Sequence, residues 1–454
     1  MTMVALALRT LRHRAGGSAA SFLALLFGAT VLMAFASMLD VAIAGDARGS
    51  ARETLVLMAT VVGGWGLMLV VLAVVSTLTL AVRQRAAETA LLKSLGATPA
   101  RLARAIVGEA AVLALLAGAL AVVPGVLAGR GLLALLHSTD QVPEDIGYTF
   151  GPLAPVMGIG IVLVAAVLAA LVTARRTTRG PVVESINDAE TGRTRMSKKR
   201  MVAAGLFLAL GVDLAVVTAT VMRDEAEAAI ATAGQADILA SIGLALLAPV
   251  LVRRAVGLLA GPLRLAGVAG ELAAAGLRRR TGQAAAVVTP IVLFTGIGIG
   301  TLYMQATENA AAKAAGTAAA AEQENVQTLN LVVIGMIVAF TALMVVNTLI
   351  AATAHRRREF GQQRLAGATP GQVLGAAAVE GTVLALVGLA CGTVASLFTI
   401  MPFGSVRGGS VVPEGGPWIY LGMAAVAFAL TLGTALGATR RALRTPAVVA
   451  VAAS

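Results

Sequence analysis

The chain has 454 residues, of which 58% are hydrophobic and only 13% charged, with a mean hydropathy of +0.88. A water-soluble protein needs about 25% charged residues to cover its surface, so a set of soluble domains is excluded and a polytopic membrane protein is implied. The formal net charge of +12 comes from 35 Lys+Arg against 23 Asp+Glu. Those bases fall in short clusters between apolar runs, not in one groove or helix face, which argues against a nucleic-acid partner and for positive-inside topology.

In chain order, Met1 to Arg14 resembles the charged region of a signal peptide, but the apolar segment from Ser18 to Ala44 is too long for a signal core. It is read as a retained first anchor. Ten predicted spans follow one another at about 18–44, 54–82, 107–136, 152–173, 201–222, 235–252, 284–304, 328–351, 373–400 and 418–439. Each approaches or exceeds the roughly 20 residues a helix needs to cross a bilayer. With the N-terminus inside, all lysines and arginines except Arg48, Arg52, Arg130, Arg223, Lys313 and Arg407 fall in or beside cytoplasmic segments. The fold class is therefore all-α and polytopic, with ten transmembrane helices in a 4+2+4 arrangement and both termini cytoplasmic.

The outer loops carry Asp140, Glu144 and Asp145, then Asp224, Glu225 and Glu227, then Glu308, Glu322 and Glu324. These acids could hold a cation or a basic substrate, but loop solvation is the simpler reading. The Ala-rich stretch 305–327 could extend a helix above the membrane and is too short for a separate domain. Asp40 and Asp213 sit towards predicted outer ends and Asp237 at the start of the sixth span, placements that favour structural roles over proton coupling.

Enzymatic chemistry finds no foothold. Cys391 is the sole cysteine, His13, His137 and His355 have no ligand-like spacing, and no phosphate-binding loop, zinc-protease or nucleophile-elbow motif occurs. If ATP powers this chain, a second polypeptide hydrolyses it.

An internal duplication organises the sequence. Gly96-Ala97-Thr98-Pro99 recurs as Gly367-Ala368-Thr369-Pro370, and the same spacing maps Arg85 onto Arg356, Glu88 onto Glu359 and Glu109 onto Glu380. The basic starts at 11–16 and 277–282 match, as do Arg175-Arg176 with Pro181 and Arg440-Arg441 with Pro446. The predicted organisation is a first four-span repeat over 1–182, a two-span joint with a cytoplasmic linker over 183–276, and a second repeat over 277–454. Four spans per copy make the repeats parallel, unlike inverted transporter repeats. Within the joint, 253–283 mixes bases with apolar residues as an interfacial or amphipathic helix does.

The repeated element itself reads as a short cytoplasmic helix. Ala87, Leu91 and Leu95, with Leu92 beside them, form an apolar stripe, and Arg85 can pair with Glu88 three residues on. Gly96 can stop the helix in a left-handed conformation, and Thr98-Pro99 has the N-cap and first-turn chemistry of a restart. Copy two repeats this with Arg356, Glu359, Phe360, Gly367 and Thr369-Pro370, and Gln372 offers a capping box. Glu109 and Glu380 begin the next spans, where the helix dipole favours a carboxylate; they could equally receive a signal from the preceding helix or pair with a basic neighbour. Such a helix either lies passively among headgroups or is a docking knob whose movement tilts the following span.

With these residues the chain resembles the FtsX-like family of ABC transporter permeases, whose pattern sets an Arg and a Glu before a run ending in Leu-Gly-Ala, then an acid early in the next span. Arg85, Glu88, Leu95-Gly96-Ala97 and Glu109 fit it, as do Arg356, Glu359, Gly367-Ala368 and Glu380, with Ala366 in place of the usual Leu. The resemblance implies a bacterial plasma-membrane permease that is not itself an enzyme and binds no cofactor. ATP and Mg would sit on a separate cytoplasmic ABC ATPase, in two copies, docked on the repeated helices. The cargo would be amphiphilic: a lipid, a peptide or an antibiotic-like molecule. The alternative is a mechanical signal transducer controlling an extracytoplasmic partner, which the short outer loops make less direct.

Overall fold

A computed structural model describes residues 15–44, 47–84, 91, 96–179, 197–223, 226–316, 356–408 and 412–452, with scattered positions between 335 and 349. Every regular element among the described residues is a helix. Backbone amides and carbonyls in hydrocarbon must find partners within their own segment, and a helix satisfies this locally. Eight of the described helices are long and apolar enough to cross a membrane. The second predicted span is helical without a break, while most of the eighth lies outside the described residues.

The chain divides near residue 190 into two compact units. The first holds α1 (Ala15–Ile43), α2 (Gly49–Leu57), α3 (Gly63–Gln84), α4 (Pro99–Ser138) and α5 (Leu153–Arg179), with a π-helical turn at Met58–Val62 joining α2 to α3. Helix α1 is the hub, packed against α3, α4 and α5. Met33, fully buried, shows how: it fills the space beside Gly125 of α4 and Gly158 of α5, where added Cβ atoms would collide with it. Small residues are the means by which helices without a hydrophobic drive between them approach closely in lipid. Thr79 and Thr173 bridge α3 to α5 at 3.2 Å.

Asp40, near the end of α1, is 6% exposed and accepts hydrogen bonds from the Leu153 and Ala154 amides at 3.1 and 2.9 Å. It caps α5 from a distance of over a hundred residues in sequence, which gives this membrane-end acid a structural duty.

The second unit contains α6 (Lys198–Thr220), α7 (Ala226–Leu258), α8 (Ala260–Arg264), α9 (Gly267–Arg279), α10 (Thr281–Ala315), α11 (Arg357–Leu365), α12 (Pro370–Phe403), α13 (Pro417–Leu443) and α14 (Ala447–Ala452). A π-helical turn at Gly404–Gly408 follows α12. Helices α10, α12 and α13 pair with one another as α1, α4 and α5 do in the first unit. The α6–α7 pair belongs to this unit, with α7 packed on both α10 and α12. Helices α10 and α12 approach closely. Gly388 faces Ile291, Gly392 faces Thr295 and the Gly296 backbone, and Thr295 Oγ1 donates to the Gly388 carbonyl at 3.2 Å.

Three expectations change. The helix of the sixth span begins at Ala226, not near 235, because the Ala-rich residues ahead of the apolar run continue it. This moves Asp237 from the start of a span to the interior of α7, where it is 3% exposed. Glu308 is not solvated: α10 runs on to Ala315, and Glu308, 7% exposed, is held by Arg407 through a bidentate pair at 2.7 and 2.8 Å. The linker 253–283 is not one interfacial helix but the end of α7 followed by α8 and α9. The latter buries Gly270, Ala273, Gly276 and Leu277 and packs on α12.

Two substitutions probe this packing. Gly392→Val forces a side chain into the Gly296 backbone, and overpacking of this kind costs about 1–3 kcal/mol; a lowered midpoint of thermal unfolding in detergent is expected. Asp40→Ala removes the α5 cap and costs about 1 kcal/mol, read in the same assay, with Asp40→Asn recovering part of the loss.

Candidate coupling site

The short helix α11 is stopped by Gly367 at φ +98°, with the Gly367 and Ala368 amides bonded back to the Arg364 and Gln363 carbonyls. Glycine takes this left-handed conformation without steric cost. Thr369 then caps α12: its Oγ1 accepts from the Gln372 amide at 3.3 Å while Gln372 Oε1 accepts from the Thr369 amide at 2.9 Å, a complete capping box with Pro370 in the first turn. In the first copy Gly96 has φ +91°, and Thr98 caps α4 through the Arg101 amide at 3.4 Å, ahead of Pro99. Arg101 stands where Gln372 does, so the reciprocal bond is missing. Leu91 is 64% exposed; Arg85, Glu88, Leu92 and Leu95 lie outside the described residues.

Helix α11 is seated firmly on one side. Phe360 is 2% exposed and packs with Val373 of α12 and Ala442 of α13, flanked by Ala368 and Leu443. Gly361 lies flat against α14, where a Cβ would meet the Ala447 carbonyl at 3.0 Å. Arg364 Nη1 donates to the Leu443 and Thr445 carbonyls at 3.2 and 3.0 Å, filling acceptors that the end of α13 leaves open. The opposite face, with Arg358, Gln362, Leu365 and Ala366, is exposed.

Beneath the start of α11 four charged side chains converge. Arg356 Nη1 lies 2.8 Å from Glu380 Oε2 and its Nε 3.7 Å from Glu359 Oε2, while Arg280, at the start of α10, pairs with Glu359. The Arg356 guanidinium also stacks over the Phe360 ring at 4.9 Å, a cation–π contact. Burial and the neighbouring Arg356 push the Arg280 guanidinium down from its ordinary value; Glu380 and Glu359 oppose that shift.

Within this cluster Glu380 Oε2, Arg356 Nε and Arg280 Nη2 are buried without a hydrogen-bond partner, so the Arg356–Glu380 contact is an ion pair only. A cavity of about 30 Å³ opens between these groups, Gln283 and Thr439, room for about one water molecule.

The site joins what the sequence separates. Arg356, Glu359, Phe360 and Glu380 come together; Glu109, the counterpart of Glu380, is half-buried in α4. Glu380 sits nearly three turns into α12, beyond the first-turn reach of the helix dipole. Its charge is balanced by Arg356, a basic neighbour, and not by the helix end. Two contributors carry no site signal in the sequence. Arg280 is legible there as a topology signal and as part of the repeated basic starts, and nothing local marks Arg364 and α14 as partners.

A family model for the FtsX-like permease C-terminal region matches this chain twice, over residues 60–182 and 331–447. No curated protein matches it. The second match contains α11, α12 and α13, with Arg356, Glu359, Phe360 and Glu380 among them.

Removing one partner of a buried pair leaves the other charge uncompensated, at about 3–5 kcal/mol. Arg356→Ala is therefore expected to lower the thermal midpoint sharply. Arg356→Met combined with Glu380→Gln removes both charges and should recover most of it, which a double-mutant cycle measures.

Proposed function

The chain belongs to the FtsX-like permease family, and from that premise we propose that it is the membrane subunit of an ABC transporter moving an amphiphilic substrate. The family is not catalytic, and its members generally work with a cytoplasmic ABC ATPase. In this reading ten spans cross the bacterial plasma membrane in a 4+2+4 order with both termini cytoplasmic. Two copies of the ATPase dock on the helices that precede Gly96 and Gly367, and ATP and Mg stay on that partner.

The observation that carries the reading is the way α11 is fastened. Phe360 wedges it against α12 and α13, Arg364 ties it to the end of α13, and Arg356 links its start to Glu380 within α12. A force on the exposed face would therefore reach α12 as a rigid displacement and not be lost in a loose loop. Helix α12 packs on α7 and α10, so its tilt would change the apolar interior of the second unit. Arg85 and Glu88 would do for the first copy what Arg356 and Glu359 do for the second.

The test is reconstitution of the chain with its partner ATPase in proteoliposomes. The Glu88→Gln/Glu359→Gln double variant should insert normally but lower permease-stimulated ATP hydrolysis about tenfold, within the usual range of coupling free energies. Unchanged stimulation would remove both carboxylates from the coupling. Movement of a lipid or peptide across vesicles holding only these two proteins would decide for transport over signalling.

A further inference from the structure

We propose that Asp237 is a proton-binding site in the interface of α7 with α10 and α12, and that its proton is held while this interface is closed and released when α7 moves away. The inference goes beyond the transport reading, since the interface lies wholly within the second unit and needs no ATPase to exist.

Asp237 lies about 12 Å along α7 from Ala229, where the membrane-crossing stretch begins. It is 3% exposed. The carboxyl group faces α10 at two glycines one turn apart: a Cβ at Gly296 would come within 3.4 Å of Oδ1, and one at Gly300 would collide with Oδ2. Ser241, fully buried one turn along α7, donates to Oδ1 at 3.2 Å and is the one side chain doing so among the described residues. Helix α12 closes the third side with Ala395 and Ser396, and a turn away Thr399 Oγ1 donates to the Ala233 carbonyl at 2.6 Å. Glycines at 296 and 300 make a recess shaped for a carboxyl group, and side chains at those positions would close it.

No cation answers this acid among the described residues. On the elements packed against it, Glu308 of α10 is held by Arg407 and Glu380 of α12 by Arg356. Lys313 of α10 is exposed well beyond Glu308. On α6, Arg200 donates to the Leu246 carbonyl and Asp213 lies on the exposed face. Arg253 and Arg254 of α7 itself sit more than four turns away and are exposed. An ionised carboxylate with one hydroxyl donor and no counter-ion, shut away from water, neutralises by taking up a proton.

When α7 separates from α10 and α12, water enters the recess. The carboxyl O–H bond then breaks, its electron pair stays on the carboxylate, and water takes the proton. Because the closed interface binds the proton more tightly, acid favours closure and alkali favours separation.

Infrared difference spectra of the full chain in lipid, wild type minus Asp237→Asn, test the site. A protonated-carboxyl C=O stretch at neutral pH, lost completely in the variant, is expected; carboxylate bands in that difference would overturn the proposal. Should Asp237→Asn not fold, an Asp213→Asn chain carrying ¹³C at its aspartate carboxyls serves instead. The isotope-shifted protonated stretch is expected there, and its absence overturns the site. Hydrogen exchange of the α7 amides, corrected for base catalysis, should speed up several-fold with rising pH in wild type but not in Asp237→Asn. Equal profiles would overturn the linked opening. Loss of ATPase stimulation with these signals intact would count against the transport reading alone.

Discussion

The α10–α12 contact is closer than ordinary side chains permit, and this closeness constrains the rest of the second unit. Gly388 and Gly392 let α12 approach Ile291 and Thr295 until a hydroxyl of one helix reaches a carbonyl of the other. In lipid no apolar surface is gained from water by such an approach, so dispersion contacts and interhelical hydrogen bonds must supply the attraction. Once α10 and α12 are joined in this way, they present a shared surface to α7 on one side and to α13 on another. The first unit meets the same requirement with a different device, a methionine on α1 filling the space that two glycines leave.

The charged cluster extends that constraint to the membrane edge. Arg356 and Glu380 tie the start of α11 to a point inside α12, and Arg280 brings in the start of α10 through Glu359. Paired buried charges contribute little net stability, but breaking one partnership is costly. Such a cluster is better suited to fixing geometry than to strengthening the fold. The three unsatisfied atoms around the small cavity mark where that geometry has room to change.

Much of this was legible in the sequence. Long apolar runs fix helices in a membrane whatever their neighbours, so eight of the predicted spans reappear among the described residues as long apolar helices, as does the Gly-Ala-Thr-Pro restart, whose cap chemistry is local. Gln372 shows the limit of this clearly, since both ends of its bond lie within one turn. Helix ends were less legible: Ala226–Gly234 and Thr307–Ala315 are Ala-rich, equally good as loop or helix by hydropathy, and misplacing the first hid the burial of Asp237. The partners of Arg280 and Arg364 lie 79 to 81 residues away. No periodicity encodes a meeting at that range, and in a duplicated chain a base that marks sidedness looks the same as one that closes a site.

That second separation bears on the order of assembly. Helix α11 leaves the ribosome well before Leu443, Thr445 and α14, the segments that seat it. During synthesis its buried face, with Phe360 and Gly361, stands open while α12 and α13 are still being inserted. A partner that recognised the seated form of α11 would therefore meet only chains in which α13 and α14 are already in place.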